Sequence, residues 1–285
     1  MASLEEILDD LSDMPTLPDV VAKLTQLIAN PKTTANDIND TLSSDAALSA
    51  KILRIVNSSY YGFSRRIASI TNAVVILGFN QVRNLALSAF IFDNFSQTGE
   101  NVGFDLKAFW RHCIGVAFTA GQIAKKVDPR LEEDAFICGL LHDLGKYVMA
   151  QKSRADLGQV MRLAIDKGQL FFNAEHQLLE YDHAILGGAL VERWNLPESL
   201  VEVIRHHHEP LAMEAEPRTI LLAAITNAAD ITARALLMGS GGDNKIPRLS
   251  RGVWELLGLG WNEMDLIARR STAEFMKSDI FFSSR

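Results

Sequence analysis

Seven side chains between positions 112 and 230 are of the kinds that hold transition metals: His112, His142, Asp143, His183, His207, His208 and Asp230. Imidazole and carboxylate donors together suit iron, manganese, zinc or nickel. The adjacent pair His142-Asp143 is the most informative of them. On a helix, neighbouring positions diverge by about 100°, because 3.6 residues complete a turn. The imidazole of such a pair can bind one ion while the carboxylate bridges to a second. Two ions held about 3.5–4 Å apart can activate a water and clamp a phosphoryl group. The remaining ligands are spread along the chain, so further helices must carry them to the pair; a short zinc loop would show them clustered.

Each of these residues also has a plainer reading. Phe136, Leu140, Leu141 and Leu144 surround the pair, and a buried carboxylate is costly without a partner. That partner is either a metal or a buried His–Asp–Arg hydrogen-bond network, and the sequence leaves both open. Asp230, set in Ala228-Ala-Asp-Ile231, poses the same question. His112, two positions after Trp110, reads equally well as a core histidine. His183 follows Asp182 and suits a capping arrangement at a helix start. His207 and His208, before Glu209-Pro210, suit an exposed helix end whose protonated rings complement the dipole.

The elements that must position these groups read as helices, and the expected fold class is all-α. Val20, Val21, Leu24, Leu27 and Ile28 recur at three-to-four spacing after Pro15 and Pro18. Thr34, Asp45 and Ser69 read as N-caps of three following helices, the last ended by Gly78. An apolar helix follows from about Gln81 to Phe95. Beyond it, helices are expected near Leu106–Val127, Glu132–Ala150, Arg154–Lys167, His183–Trp194, Pro197–His208 and Arg218–Met238. Two more lie in the tail, one containing Trp254–Leu257 and one spanning Met264–Met276. The polar stretch Ser96–Gly103 is the expected internal boundary, and Gly239–Asn244 reads as a flexible loop. The expected division is an N-terminal helical bundle over 1–98 packed with a helical core over 103–285.

The remaining sequence features narrow the function classes. A chain of 285 residues with 48% hydrophobic and 22% charged content is globular and long enough for a sizeable core. Cys113 and Cys138 are its only cysteines, which excludes a disulfide scaffold and points to a reducing cytosol. The opening MASLEEILDDLSDMPTLP has no charged start followed by a long apolar run, so no secretory signal is expected. The most apolar long window, Thr219–Gly239, is interrupted by Asn227, Asp230 and Arg234, which argues against a membrane span. A net charge of −7 argues against a general nucleic-acid binder. One stretch runs the other way. Between Ala46 and Phe92 there is no acidic residue, but there are Lys51, Arg54, Arg65, Arg66 and Arg83. It reads as a surface for an anionic ligand or acidic partner, or as scattered solvated residues around a core segment.

The order His112, His142-Asp143, Asp230 resembles the H…HD…D signature of the HD superfamily of metal-dependent phosphohydrolases, and GLLHDLGK resembles its central motif. The segments MPTLPDVVAKL, SSDAALSAKILRIVNSSYYG, SITNAVVILGFNQVRNLAL and DHAILGGALVERWNLPESLVEVIRHHHEP, with the later NAAD, resemble the HDOD domain. That resemblance is strongest from Met14 to Pro210. It implies a multi-helix HDOD fold and a bacterial signal-transduction protein, tied to a signalling protein partner or a nucleotide-type ligand. Its metal-binding HD core would take one or two divalent transition-metal ions on the seven residues above. Among relatives, the lysine matching Lys146 can approach a substrate phosphate; otherwise Lys146 is an exposed helix-end lysine. A metal-dependent phosphohydrolase, with Asp143 and Lys146 as its catalytic residues, is the competing implication. A third is a structural interaction module with a vestigial metal site. His183 and His207-His208-Glu209 also resemble the HD-GYP phosphodiesterases. Glu209 is followed here by Pro-Leu-Ala-Met, not by that family's glycine-tyrosine-proline segment, so cyclic di-GMP hydrolysis is not implied.

Overall fold

The computed structural model describes residues 3–28, 30, 32–58, 61–95 and 103–282, and every regular element among them is a helix. The chain opens with α1 (Leu4–Asp10), fixed by a capping box in which Ser3 and Glu6 satisfy each other's backbone N–H. Two compact units follow from the contacts: residues 15–96 with 276–285, and residues 1–14 with 97–275. Each chain end thus belongs with the other half, which a division at a single boundary does not anticipate. The expected boundary, Ser96–Gly103, lies outside the described residues except for Gly103.

The first unit contains α2 (Asp19–Ile28), α3 (Ala35–Ser43), α4 (Ala46–Val56), α5 (Ile70–Leu77) and α6 (Phe79–Asn94). Thr34, Asp45 and Ser69 cap α3, α4 and α5 by accepting the backbone N–H three residues on, as the sequence predicts. The helix α6 is the hub: α2, α4 and α5 pack on it, and so does a short 3-10 turn at Ser278–Phe282. Its Val82, Leu85, Ala86 and Ile91 are buried, as are Leu24 on α2 and Ile52 and Ile55 on α4. Here the expected basic surface needs correction. Lys51 is buried, its ammonium bonded to the Asp93 carboxylate and to Ala89 O. Arg83 is half-buried and donates to Asn84 Oδ1. Arg65 and Arg66 are exposed and Arg54 is half-buried.

The second unit is built around α7 (Leu106–Val127), which is apolar nearly all round and buried accordingly. After it come α8 (Glu132–Leu141), α9 (Leu144–Lys152), α10 (Arg154–Lys167), α11 (Phe171–Leu178), α12 (His183–Arg193) and α13 (Glu198–His206). The unit closes with α14 (Pro217–Ala235), α15 (Arg251–Leu257) and α16 (Trp261–Phe275). α8, α14 and α16 pack on α7, while α12 packs on α9 and α13. No helix among the described residues is long and apolar enough to cross a membrane.

The structure corrects the helix predicted over Glu132–Ala150. It breaks at His142-Asp143, where Asp143 leaves the helical region (φ −96°, ψ 7°) before α9 resumes. The run is apolar on every face, so periodicity carries no mark of the break. Two glycines flank it and fix both arms. A Cβ on Gly139 would lie 2.7 Å from Ala117 Cα on α7, and one on Gly145 would lie 1.8 Å from His183 O on α12. The pair is therefore suspended between two helix crossings that also deliver His112 and His183.

Candidate metal centre

All seven residues expected to ligate metal converge at this break. α7 supplies His112, the α8–α9 junction supplies His142 and Asp143, α12 begins with His183, the end of α13 runs into His207 and His208, and α14 supplies Asp230. Asp143 stands in the middle. Its Oδ2 lies 3.4 Å from His142 Nε2 and 3.7 Å from His112 Nε2. Its Oδ1 lies 3.0 Å from His183 Nε2 and 3.9 Å from His207 Nε2. Asp230 Oδ1 completes the first side, 3.0 Å from His112 Nε2 and 3.8 Å from His142 Nε2. His208 Nε2 completes the second, 2.9 Å from His183 Nε2. One carboxylate oxygen thus faces each of two donor clusters.

Local structure points these donors inward. His142 Nδ1 and His207 Nδ1 each donate to the carbonyl three residues earlier, Gly139 O and Ile204 O, both at 2.8 Å. That fixes the tautomer and turns the Nε2 lone pair to the centre. Asn227 Nδ2 donates to His207 O at 2.8 Å and anchors the turn after α13 to α14. His183 is held twice by the buried Glu175, through its backbone N–H at 2.9 Å and its Nδ1 at 2.6 Å. Asp182 caps α12 as expected, yet His183 is a fully buried member of the cluster as well.

Four buried atoms here have no hydrogen-bond partner: His112 Nε2, His142 Nε2, His207 Nε2 and Asp143 Oδ1. Native proteins leave few such atoms, and each calls for an explanation. His142 Nε2 and His207 Nε2 are acceptors, since their Nδ1 protons are donated elsewhere, and a cation between the donor clusters would satisfy them together with His112 Nε2 and Asp143 Oδ1. Three groups of donors have their ligating atoms within 4.8 Å of one another: His112, His142 and Asp230; His142, Asp143 and His207; His183, His207 and His208. The residues fit a metal, and the mix of imidazole and carboxylate fits a borderline divalent ion.

Electrostatics agree with the geometry. Burial and the neighbouring imidazoles push His207 down to about 3, and burial also lowers His112 and His208. These rings are neutral, the form that ligates metal. Burial works against charge on Asp143, but the His142 ring and the Lys146 ammonium outweigh it and hold the carboxyl well below its usual range. Burial likewise opposes charge on Asp230, and Arg234 and His112 outweigh it. His183 is the exception: burial disfavours its cation, but Glu175 and Asp143 lift it to about 9.

Lys146 is not at an exposed helix end. It is fully buried, 2.7 Å from Asp143 Oδ2 and 2.8 Å from Gly241 O, and its ammonium lies 4.8 Å from the Phe171 ring centre. The 239–244 segment, expected to be a flexible loop, is part of the wall. Besides Gly241 O, it contributes Asp243, which accepts from Arg234 Nη1 and from Phe171 N. Arg234 also donates to Asp230 Oδ1 at 2.8 Å. Four residues that hold the centre in place were not among those read from the sequence: Glu175, Arg234, Asp243 and Phe171. Arg234 had a signal, since it stands four positions after Asp230 on one helix. Glu175 had none, because α11 is only eight residues long and lacks a side-chain cap.

Glu175→Gln tests the outer arrangement. The amide keeps the shape but weakens the hold on His183. Metal affinity is expected to fall about 10–100-fold with the helical circular dichroism unchanged. Competition with a chromophoric chelator measures this, and unaltered affinity would leave Glu175 with no part in the centre.

A cleft of about 420 Å³ opens beside the centre. Lys146, His183, His208 and Asp230 line its inner end, with Phe172 and Arg248 also contributing to its walls.

Comparison with known proteins agrees with this architecture. An HDOD domain protein of unknown function from Geobacter sulfurreducens superposes with a TM-score of 0.80 at 24% identity, covering 96% of both chains. A candidate phosphohydrolase from Shewanella amazonensis SB2B superposes with a TM-score of 0.74 at 26% identity, covering 97% of this chain and 98% of that one. A candidate signal transduction protein from Marinobacter aquaeolei VT8 gives 0.79 at 26% identity, covering 99% of this chain and 62% of the other. An uncharacterized protein of Treponema pallidum (strain Nichols) is 31% identical over 223 residues; that is 78% of this chain and 43% of the relative, so the chain spans less than half of that protein's length. Residues 14–210 match the HDOD domain, and with that match the chain belongs to the HDOD family.

Proposed function

We propose that this is a bacterial signal-transduction protein whose HD core holds two divalent transition-metal ions and hydrolyses a phosphoester. The carrying observation is the set of partnerless buried donor atoms on both sides of Asp143, next to an open cleft. His112, His142 and Asp230 would hold one ion with Asp143 Oδ2. His183, His207 and His208 would hold the other with Asp143 Oδ1. When bound, such ions supply Lewis acidity and a water of lowered pKa.

The chain's own residues supply the rest. Asp143 links the two donor clusters and fixes their separation. Glu175 and the carbonyls of Gly139 and Ile204 orient three of the imidazoles. Arg234 holds Asp230 in place through a charge-assisted hydrogen bond. Lys146 and Arg248 give an entering phosphoryl group positive charge from the cleft walls, and Phe172 offers an apolar face. The Lys146–Asp143 pair supports a second reading, a metal-responsive regulator without turnover, because it balances charge in the metal-free chain.

Protein purified without chelator is expected to contain about two transition-metal ions per chain by elemental analysis. Stripped and reloaded with manganese, iron, zinc or nickel, it should hydrolyse at least one member of a panel of phosphomonoesters, nucleotides and cyclic dinucleotides. Turnover should vanish on stripping. Metal without turnover would leave the regulator reading. No stoichiometric metal under any loading would sink both.

A further inference from the structure

The unit formed by residues 15–96 and 276–285 contains a cavity of its own, of about 930 Å³, between the end of α4 and the segment that follows it. Arg54 and Arg66 line it, together with Ser58, Phe63, Leu53 and Ile280, and among the described residues no acidic side chain does. The chain carries no Asp or Glu between Ala46 and Phe92. The next acid, Asp93, is engaged by Lys51. Arg54 Nε is a buried atom with no hydrogen-bond partner. That N–H is a buried donor without an acceptor, on a side chain that lines the cavity.

The wall that carries these arginines is braced. Asn57 donates through Nδ2 to Leu53 O and Ile67 O, both at 2.8 Å, and accepts from Ile67 N at 2.7 Å. It ties the end of α4 to the far side of the loop and so fixes the mouth of the cavity. Phe63 is 39% exposed, and its ring stacks on Tyr61 with centres 5.9 Å apart and planes within 5°. The stacking braces Phe63 as a flat platform in the cavity that Arg54 and Arg66 also line.

These features select a ligand class. The guanidinium fork matches phosphate oxygens two at a time. A bare phosphate would use the arginines but not the aromatic platform or the apolar wall of Leu53 and Ile280. A planar ring would use both. The volume lies within the roughly 300–1,000 Å³ typical of small-molecule sites. We propose that this cavity binds a nucleoside diphosphate, with its phosphates on Arg54 and Arg66 and its base on the Phe63 ring. The assignment stands apart from the metal centre and does not depend on its activity.

The test is calorimetric titration of the full chain, kept in excess EDTA so that metal-dependent binding at the HD core is excluded. ADP and GDP are the probes, with pyrophosphate and adenosine as the separated halves. One diphosphate per chain is expected, with each half binding at least tenfold more weakly. Arg54→Ala and Arg66→Ala should each weaken ADP at least tenfold, and Phe63→Ala should weaken ADP but not pyrophosphate. Arg65→Ala, outside the cavity, should leave ADP affinity within twofold. Arg66 is exposed, so its variant carries the test even if Arg54→Ala fails to fold. Absence of nucleotide binding at millimolar concentration, or binding unchanged in Arg66→Ala, would overturn the assignment. So would pyrophosphate binding as tightly as ADP, or an acidic peptide displacing the nucleotide stoichiometrically.

Discussion

Asp143→Asn is expected to reduce bound metal to about a tenth of the wild-type content or less and to destabilise the fold by about 3–5 kcal/mol. Both effects have one origin. Among the described residues Asp143 alone has an oxygen facing each donor cluster, so its loss weakens both sites together. It is also the partner of Lys146, which is fully buried. The amide oxygen can still accept from that ammonium, as Gly241 O does, but it carries no charge to balance it, and an uncompensated buried charge is expensive. Asp143→Asn combined with Lys146→Met separates the two consequences. The double variant should regain most of the lost stability in urea denaturation while still failing to load metal. A single variant that keeps its full metal content would show that Asp143 is not the shared ligand.

Gly145→Ala is expected to be at least as damaging to the fold, at about 3 kcal/mol or more. The added methyl would lie 1.8 Å from His183 O, 2.7 Å from His183 C and 2.8 Å from Gly187 N. All three are backbone atoms, so no side chain can swing away. Overpacking of flexible cores costs about 1–3 kcal/mol, and a clash between two helix backbones exceeds what rotamers absorb. Relief requires α9 and α12 to separate, which also carries His183 away from Asp143. The variant should therefore lose both urea stability and metal. Gly187→Ala, on the same crossing, meets its nearest atoms at 3.1 and 3.3 Å and should cost far less. Equal stability of Gly145→Ala and wild type would show that the two helices have room between them.

The sequence carries much of this architecture and little of its fine positioning. The caps at Thr34, Asp45 and Ser69 are legible because a side-chain oxygen before an apolar run has one common use. α7 and α10 are legible to their ends because both stop where the pattern stops, at Asp128 and at Gly168. The seven metal-type residues are legible by type, and their convergence on Asp143 is what the structure adds. Three things were hidden for physical reasons. The break at Asp143 lies in a run that is apolar on every face, so no change of period marks it. α11 has no capping side chain, and Glu175 went unread with it. Lys51 looks like a surface lysine because Asp93, the carboxylate that holds it, lies 42 positions further on, while Lys146 stands three positions after Asp143 and only its burial was hidden.

The pairing of Lys146 with Asp143 bears on how a centre like this one decays over generations. The lysine serves as a resident counter-ion, so the chain without metal contains no stranded carboxylate at its middle. A lineage can then lose its peripheral histidines one at a time without collapsing the fold. The carboxylate cannot drift away alone, since its departure strands the lysine. In descendants that have abandoned metal, the two residues should disappear as a pair or persist as a pair.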